Sequence, residues 1–99
     1  MIDVDTLPAC PVETTLTLIS DKWKILIVRD LLTGTKRFSE LRRSIGHISQ
    51  KALTSNLRQM EADGLVHREV YPEVPPRVEY SLTDTGHSLK TVIDALWNW

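Results

Sequence analysis

The stretch from residue 38 to residue 82 constrains the fold most. It carries two short helical patterns separated by a turn, then two alternating strands joined by a proline-rich tip. In FSELRRSI, Phe38, Leu41 and Ile45 recur at helical spacing. Gly46-His47 breaks that helix, and Ser49 follows as an N-cap whose oxygen accepts from the exposed amides of the next. Leu53, Leu57 and Met60 make the buried stripe of this second helix, and Gly64 stands where a left-handed C′ residue ends it. Its outward face is left with Ser49, Gln50, Lys51, Thr54, Ser55 and Arg58, none of them acidic and all able to donate hydrogen bonds. Residues 65–71 read as a strand and residues 77–82 as its partner, through Val78, Tyr80 and Leu82. Pro72, Pro75 and Pro76 cannot donate to a ladder, so they hold the tip open and stiff.

The flanks are helical. Residues 1–9 are polar and expected to be extended, and Pro11 opens a helix over residues 11–19 with Val12, Leu16 and Ile19 on one face. Asp21 caps a second helix from Lys22 to about Leu32, apolar enough to be the central core helix, and Thr33-Gly34-Thr35 ends it. Thr83 is the N-cap of one last helix, with Leu89, Val92 or Ile93, Leu96 and Trp97 as its apolar stripe. At 99 residues the whole chain, 1–99, is expected to be one domain. A core of that size is marginal, and dimerisation would help it.

A net charge of −1 conceals a strong asymmetry. Residues 1–21 are acidic, residues 22–58 hold nine Lys and Arg against Asp30 and Glu40 for a net +7, and residues 59–99 are acidic again. The basic third coincides with the two-helix motif, as an electrostatic footprint for phosphate should. The start of the chain lacks the basic and long apolar regions of a signal peptide, and the run at residues 25–32 is far short of the ~20 residues that cross a bilayer. A cytoplasmic protein with no membrane association is expected. The single cysteine excludes an internal disulfide and a cysteine-based zinc site. His47, His67 and His87 show no ligand-like spacing, so neither a metal nor a cofactor is expected. With no glycine-rich phosphate loop and no nucleophile-elbow serine, the chain does not read as an enzyme.

Helical core, helix-turn-helix, then hairpin is the winged-helix plan: mostly α with a small β-hairpin, flanked by N- and C-terminal dimerisation helices. The chain resembles the HxlR family of winged-helix transcriptional regulators, relatives of the MarR type. The matching residues are CPVE at 10–13, DKW at 21–23, RFSELRR at 37–43, ISQKALTSNLRQMEADGLV at 48–66, YPEVPPRVEYSLT at 71–83 and Gly86. VPPRVEYSLT is far more specific than a generic helix-turn-helix, and the likeness covers nearly the entire chain.

The residues and the resemblance agree on a function: sequence-specific binding of double-stranded DNA by a homodimer on a pseudo-palindromic operator. Gln50, Lys51, Thr54, Ser55 and Arg58 are the expected groove contacts, with Ser49 mainly a cap. Arg37 and Ser39, at the start of the preceding helix, are expected near phosphate. Arg77 resembles the wing arginine that reaches a minor groove or the backbone; its rival role is an ion pair with Glu73 or Glu79. Arg68 is a weaker candidate across the hairpin. Val12, Leu16, Leu89, Ile93, Leu96 and Trp97 are the expected dimer surface. Cys10 immediately precedes Pro11 at a helix start, where a thiolate is favoured. Some HxlR-type regulators sense oxidants, quinones or aldehydes through the matching cysteine, which makes Cys10 a candidate redox or electrophile sensor. The alternative is a winged-helix protein-interaction module without DNA binding; a thiol enzyme built on Cys10 is a third.

Overall fold

Side-chain caps at Asp21, Ser49 and Thr83 start three of the helices. The computed structural model describes residues 11–19 and 21–99. After α1 (Pro11–Leu18), α2 (Lys22–Leu31) starts where Asp21 Oδ1 accepts from the Trp23 and Lys24 amides at 2.9 and 3.1 Å. Ile27, Val28 and Leu31 fall on one face of α2 and are buried; Lys24 shares that face, its long stem among the buried side chains.

The helix-turn-helix follows as α3 (Phe38–Ile45) and α4 (Gln50–Ala62). Leu41 from the first and Leu53, Leu57 and Met60 from the second meet Ile27, Val28 and Leu31 in a single core. Burying each such side chain stabilises the fold by about 1.5–3 kcal/mol before conformational entropy is counted. α4 closes through Gly64 at φ +79°: the Leu65 amide donates to the Met60 carbonyl at 2.9 Å and the Gly64 amide to the Glu61 carbonyl at 3.1 Å. That doubled closure is the Schellman pattern, in which glycine's freedom at positive φ turns the chain sharply out of the helix.

The chain then enters β2 (Val66–Tyr71) and returns as β3 (Arg77–Leu82), antiparallel with Val66 opposite Leu82 and Tyr71 opposite Arg77. A two-residue strand, β1 (Lys36–Arg37), pairs with the other edge of β3, so the sheet has three strands in the order β1-β3-β2. The sequence reading has only the hairpin; β1 is too short to show alternation and exists because β3 offers it a free edge. The architecture is a winged helix-turn-helix, mostly helical with this small sheet.

The last helix is not continuous. Thr83 Oγ1 accepts from the Gly86 amide at 3.1 Å and caps α5 (Asp84–His87), after which a turn at Ser88-Leu89 leads into α6 (Lys90–Asn98). In that turn the Leu89 amide donates to the Gly86 carbonyl three residues back, tightening the chain. The break lets Leu89 reach the core, where it is 8% exposed. Leu89 therefore belongs to the protomer's own interior and not to the exposed stripe expected of it; Ile93 is partly buried against the same core.

Thr83 is also the junction between α4 and the wing. Its hydroxyl donates to the Gly64 carbonyl at 2.5 Å, and its amide donates to the Leu65 carbonyl at 3.1 Å. Gly86 packs directly beneath: a Cβ there would collide with the Leu65 carbonyl oxygen and lie 3.0 Å from Leu82 Cδ2. Gly86→Ala is expected to lower the unfolding free energy by about 1–3 kcal/mol through overpacking against backbone. Urea denaturation measures it as a fall in midpoint at constant slope.

Candidate nucleic-acid interface

The Ser49 side chain sets the position of the outward face of α4. Its Oγ accepts from the Ala52 amide at 3.0 Å, while buried Ile48 anchors the turn from the inside. Rotating from that start, Gln50, Lys51, Ser55 and Arg58 are exposed and Thr54 is half-buried. These five side chains line one shallow concavity of about 620 Å³. The concavity holds three kinds of donor, ammonium, guanidinium and hydroxyl, together with an amide that both donates and accepts.

Arg37 and Ser39 form a second cluster with the wing. Arg37 is the N-cap residue of α3, its amide donating to Glu40 Oε1 at 2.8 Å, so its guanidinium is not needed for capping. Arg37, Ser39 and Arg77 line one cleft of about 320 Å³, together with Pro76. The structure thus brings the start of α3 next to the wing, which spacing along the chain does not show.

The ion pairing considered for Arg77 is present with both acids. Arg77 lies over the Tyr71 ring at 4.0 Å and pairs with Glu73 at 3.5 Å and Glu79 at 3.7 Å. Its Nε is buried without a hydrogen bond, and the side chain is 29% exposed. Ion pairs this long contribute at most about 1 kcal/mol each, and a cation–π contact at a partly exposed site is of the same order. A phosphate with two good guanidinium hydrogen bonds competes with both carboxylates.

Further ion pairs lie elsewhere. Arg29 pairs with Asp30 at 2.9 Å and Lys90 with Asp94 at 2.6 Å. Lys51, Arg58, Arg68, Arg42 and Arg43 have no ion-pair partner among the described residues. Unpaired cations keep their full field outside the molecule, so the face of α3 and α4 is positive while the chain is not.

His47 lies in the turn before α4, His67 on β2 and His87 at the end of α5, so the three histidines stay on separate elements. Cys10 lies outside the described residues. Sequence reasoning gave Arg68 little weight, yet it stands on the sheet face that looks toward α4, opposite Tyr80. The alternation that buries Val66 and Leu82 puts it there, and is the signal that marks it.

Because one hydroxyl caps α4, Ser49→Ala is expected to lower stability by about 1 kcal/mol. Thermal unfolding of the two proteins at equal concentration measures the shift.

The comparisons agree with this geometry. The HxlR-like helix-turn-helix family profile matches residues 18–99. The chain is 50% identical over 95 residues to the uncharacterized HTH-type transcriptional regulator YdeP of Bacillus subtilis, covering 96% of this chain and 74% of that one. The redox regulator HypR in its oxidized form superposes with a TM-score of 0.85 at 50% identity, over 91% of this chain and 93% of HypR. The reduced form of the transcriptional regulator YodB from Bacillus subtilis gives 0.81 at 38% identity, over 93% and 91% of the two chains. The two-helix motif, the wing and these matches together make the chain a member of the HxlR-like helix-turn-helix family, a family of transcriptional regulators.

Proposed function

We propose that this chain is a sequence-specific DNA-binding regulator of transcription that works as a homodimer on a pseudo-palindromic operator in the cytoplasm. The observation that carries the reading is the α4 face: Gln50, Lys51, Thr54, Ser55 and Arg58 share one open surface that is free of acids. A major groove admits such a helix and offers a distinct donor–acceptor pattern for each base pair. Lys51 and Arg58 supply cations for phosphate or guanine, and Gln50 the bidentate amide suited to adenine. Arg37, Ser39 and Arg77 add backbone contacts at the wing side.

Twofold pairing is supported by apolar surface that the protomer leaves uncovered. Val12 and Leu16 of α1 are 65% and 57% exposed, and Leu96 and Trp97 of α6 are 57% and 85% exposed. Val12, Leu16 and Leu96 line one apolar groove of about 440 Å³ whose walls include Ile19 and Val92. A second copy laid across α1 and α6 would cover it and set two α4 helices about one helical turn of DNA apart, or a multiple of that. Leu16→Asp is expected to shift the protein toward monomer in sedimentation velocity and to weaken operator binding by losing the second half-site.

Cys10 is the proposed input for an oxidant or a small electrophile. The likeness to HypR, which is named a redox regulator, supports that assignment.

The test is anisotropy on the DNA flanking the gene, with reduced and mildly oxidised protein side by side. Tight, salt-sensitive binding that random competitor cannot displace is the expected result. A loss on oxidation that is absent in Cys10→Ser would make Cys10 the switch, and equal binding in both states would retire the redox input alone. No preference over random DNA would point instead to a protein-interaction module.

A further inference from the structure

A second cleft, of about 340 Å³, opens between α4 and the inner face of the wing sheet. Thr54, Arg58 and Glu61 of α4 form one wall, and Arg68 of β2 and Tyr80 of β3 form the other, with buried Leu57 at the base. Thr54 and Arg58 also line the recognition surface, so the two depressions meet along one edge of the helix. Neither Arg58 nor Arg68 has an ion pair, hydrogen bond or ring contact among the described residues, and both are exposed. Two like charges face a common space with no internal counter-charge in salt-bridge range. Glu61 is the only acid on the walls, and it too is unpaired among the described residues.

On the DNA-binding reading, one particular part of the duplex faces this cleft. When a helix occupies the major groove and the adjoining hairpin reaches over the neighbouring minor groove, a single sugar-phosphate strand separates them. That strand crosses the gap between helix and wing. We propose that the cleft seats one backbone phosphate between Arg58 and Arg68, with the Thr54 hydroxyl as a further donor. Arg68, mid-strand and away from the wing tip, is then a DNA-contacting residue that clamps register without reading sequence. The inference rests on the DNA-binding reading above. It goes further in assigning the inner face of the wing to the backbone and in giving Glu61 an opposing role, since its carboxylate lines the space a phosphate would enter.

The experiment measures operator and random-duplex affinity of the full chain across a salt series. The proteins are wild type, Arg68→Gln, Arg68→Lys, Arg58→Gln, the Arg58→Gln/Arg68→Gln pair and Glu61→Gln, each with thermal unfolding recorded. Arg68→Gln is expected to weaken both DNAs by the same factor, about fivefold, and to lower the salt slope by about 1. Arg68→Lys should keep the slope. The double variant should lose less than the product of the single losses, because both arginines grip one phosphate. Glu61→Gln should bind more tightly than wild type. Wild-type affinity and slope in Arg68→Gln, with wild-type protein still selecting its operator, would overturn the clamp and leave the regulator standing. A wild-type protein without DNA affinity would remove both.

Discussion

Three hydrogen bonds at Thr83 set the relation between the recognition helix and the wing. The hydroxyl donates to the Gly64 carbonyl and accepts from the Gly86 amide, while the Thr83 amide donates to the Leu65 carbonyl. Each is worth about 1 kcal/mol net, but leaving any of these part-buried groups unpaired costs about 1–3 kcal/mol. Gly64 and Leu65 are the residues through which α4 leaves its last turn, and Gly86 touches Leu65 from the next element. One residue therefore joins the end of α4, the exit of β3 and the start of α5.

The distribution of charge works on the same frame. A chain of net −1 carries basic side chains on α3 and α4 that outnumber the acids there, Arg42, Arg43, Lys51 and Arg58 against Glu40 and Glu61. Arg29 and Lys90 are neutralised by neighbours one and four residues along their own helices. Lys51, Arg58 and Arg68 are not. Arg77 is intermediate: long pairs with Glu73 and Glu79 and the Tyr71 ring hold it against the wing.

Much of this was legible in the chain because it is local. Asp21, Ser49 and Thr83 each cap the helix that follows, and Gly64 ends α4, since a capping oxygen reaches amides only two or three residues ahead. The five side chains facing outward on α4 follow from a period of 3.6 residues and the apolar positions Leu53, Leu57 and Met60. What escaped is non-local. β1 has two residues and no pattern of its own, and its pairing with Tyr80 and Glu79 depends on an edge made forty residues later. The break between α5 and α6 depends on the core claiming Leu89, a demand that an uninterrupted helical stripe does not reveal.

The sequence by itself determined the order of elements, their caps and the residues on each helix face, because these depend on hydrogen bonds and periodicities spanning a few residues. It also determined the family, through strings such as VPPRVEYSLT. Only the tertiary structure decided which of those faces meet. Arg37 and Ser39 beside Arg77, Arg58 across from Arg68, and the bonds from Thr83 to Gly64 and Leu65 join residues from different elements, far apart along the chain. Such contacts arise from the turn angle at Gly64 and from the packing of α2 against α3 and α4. They are properties of three-dimensional closure, which short-range spacing does not encode.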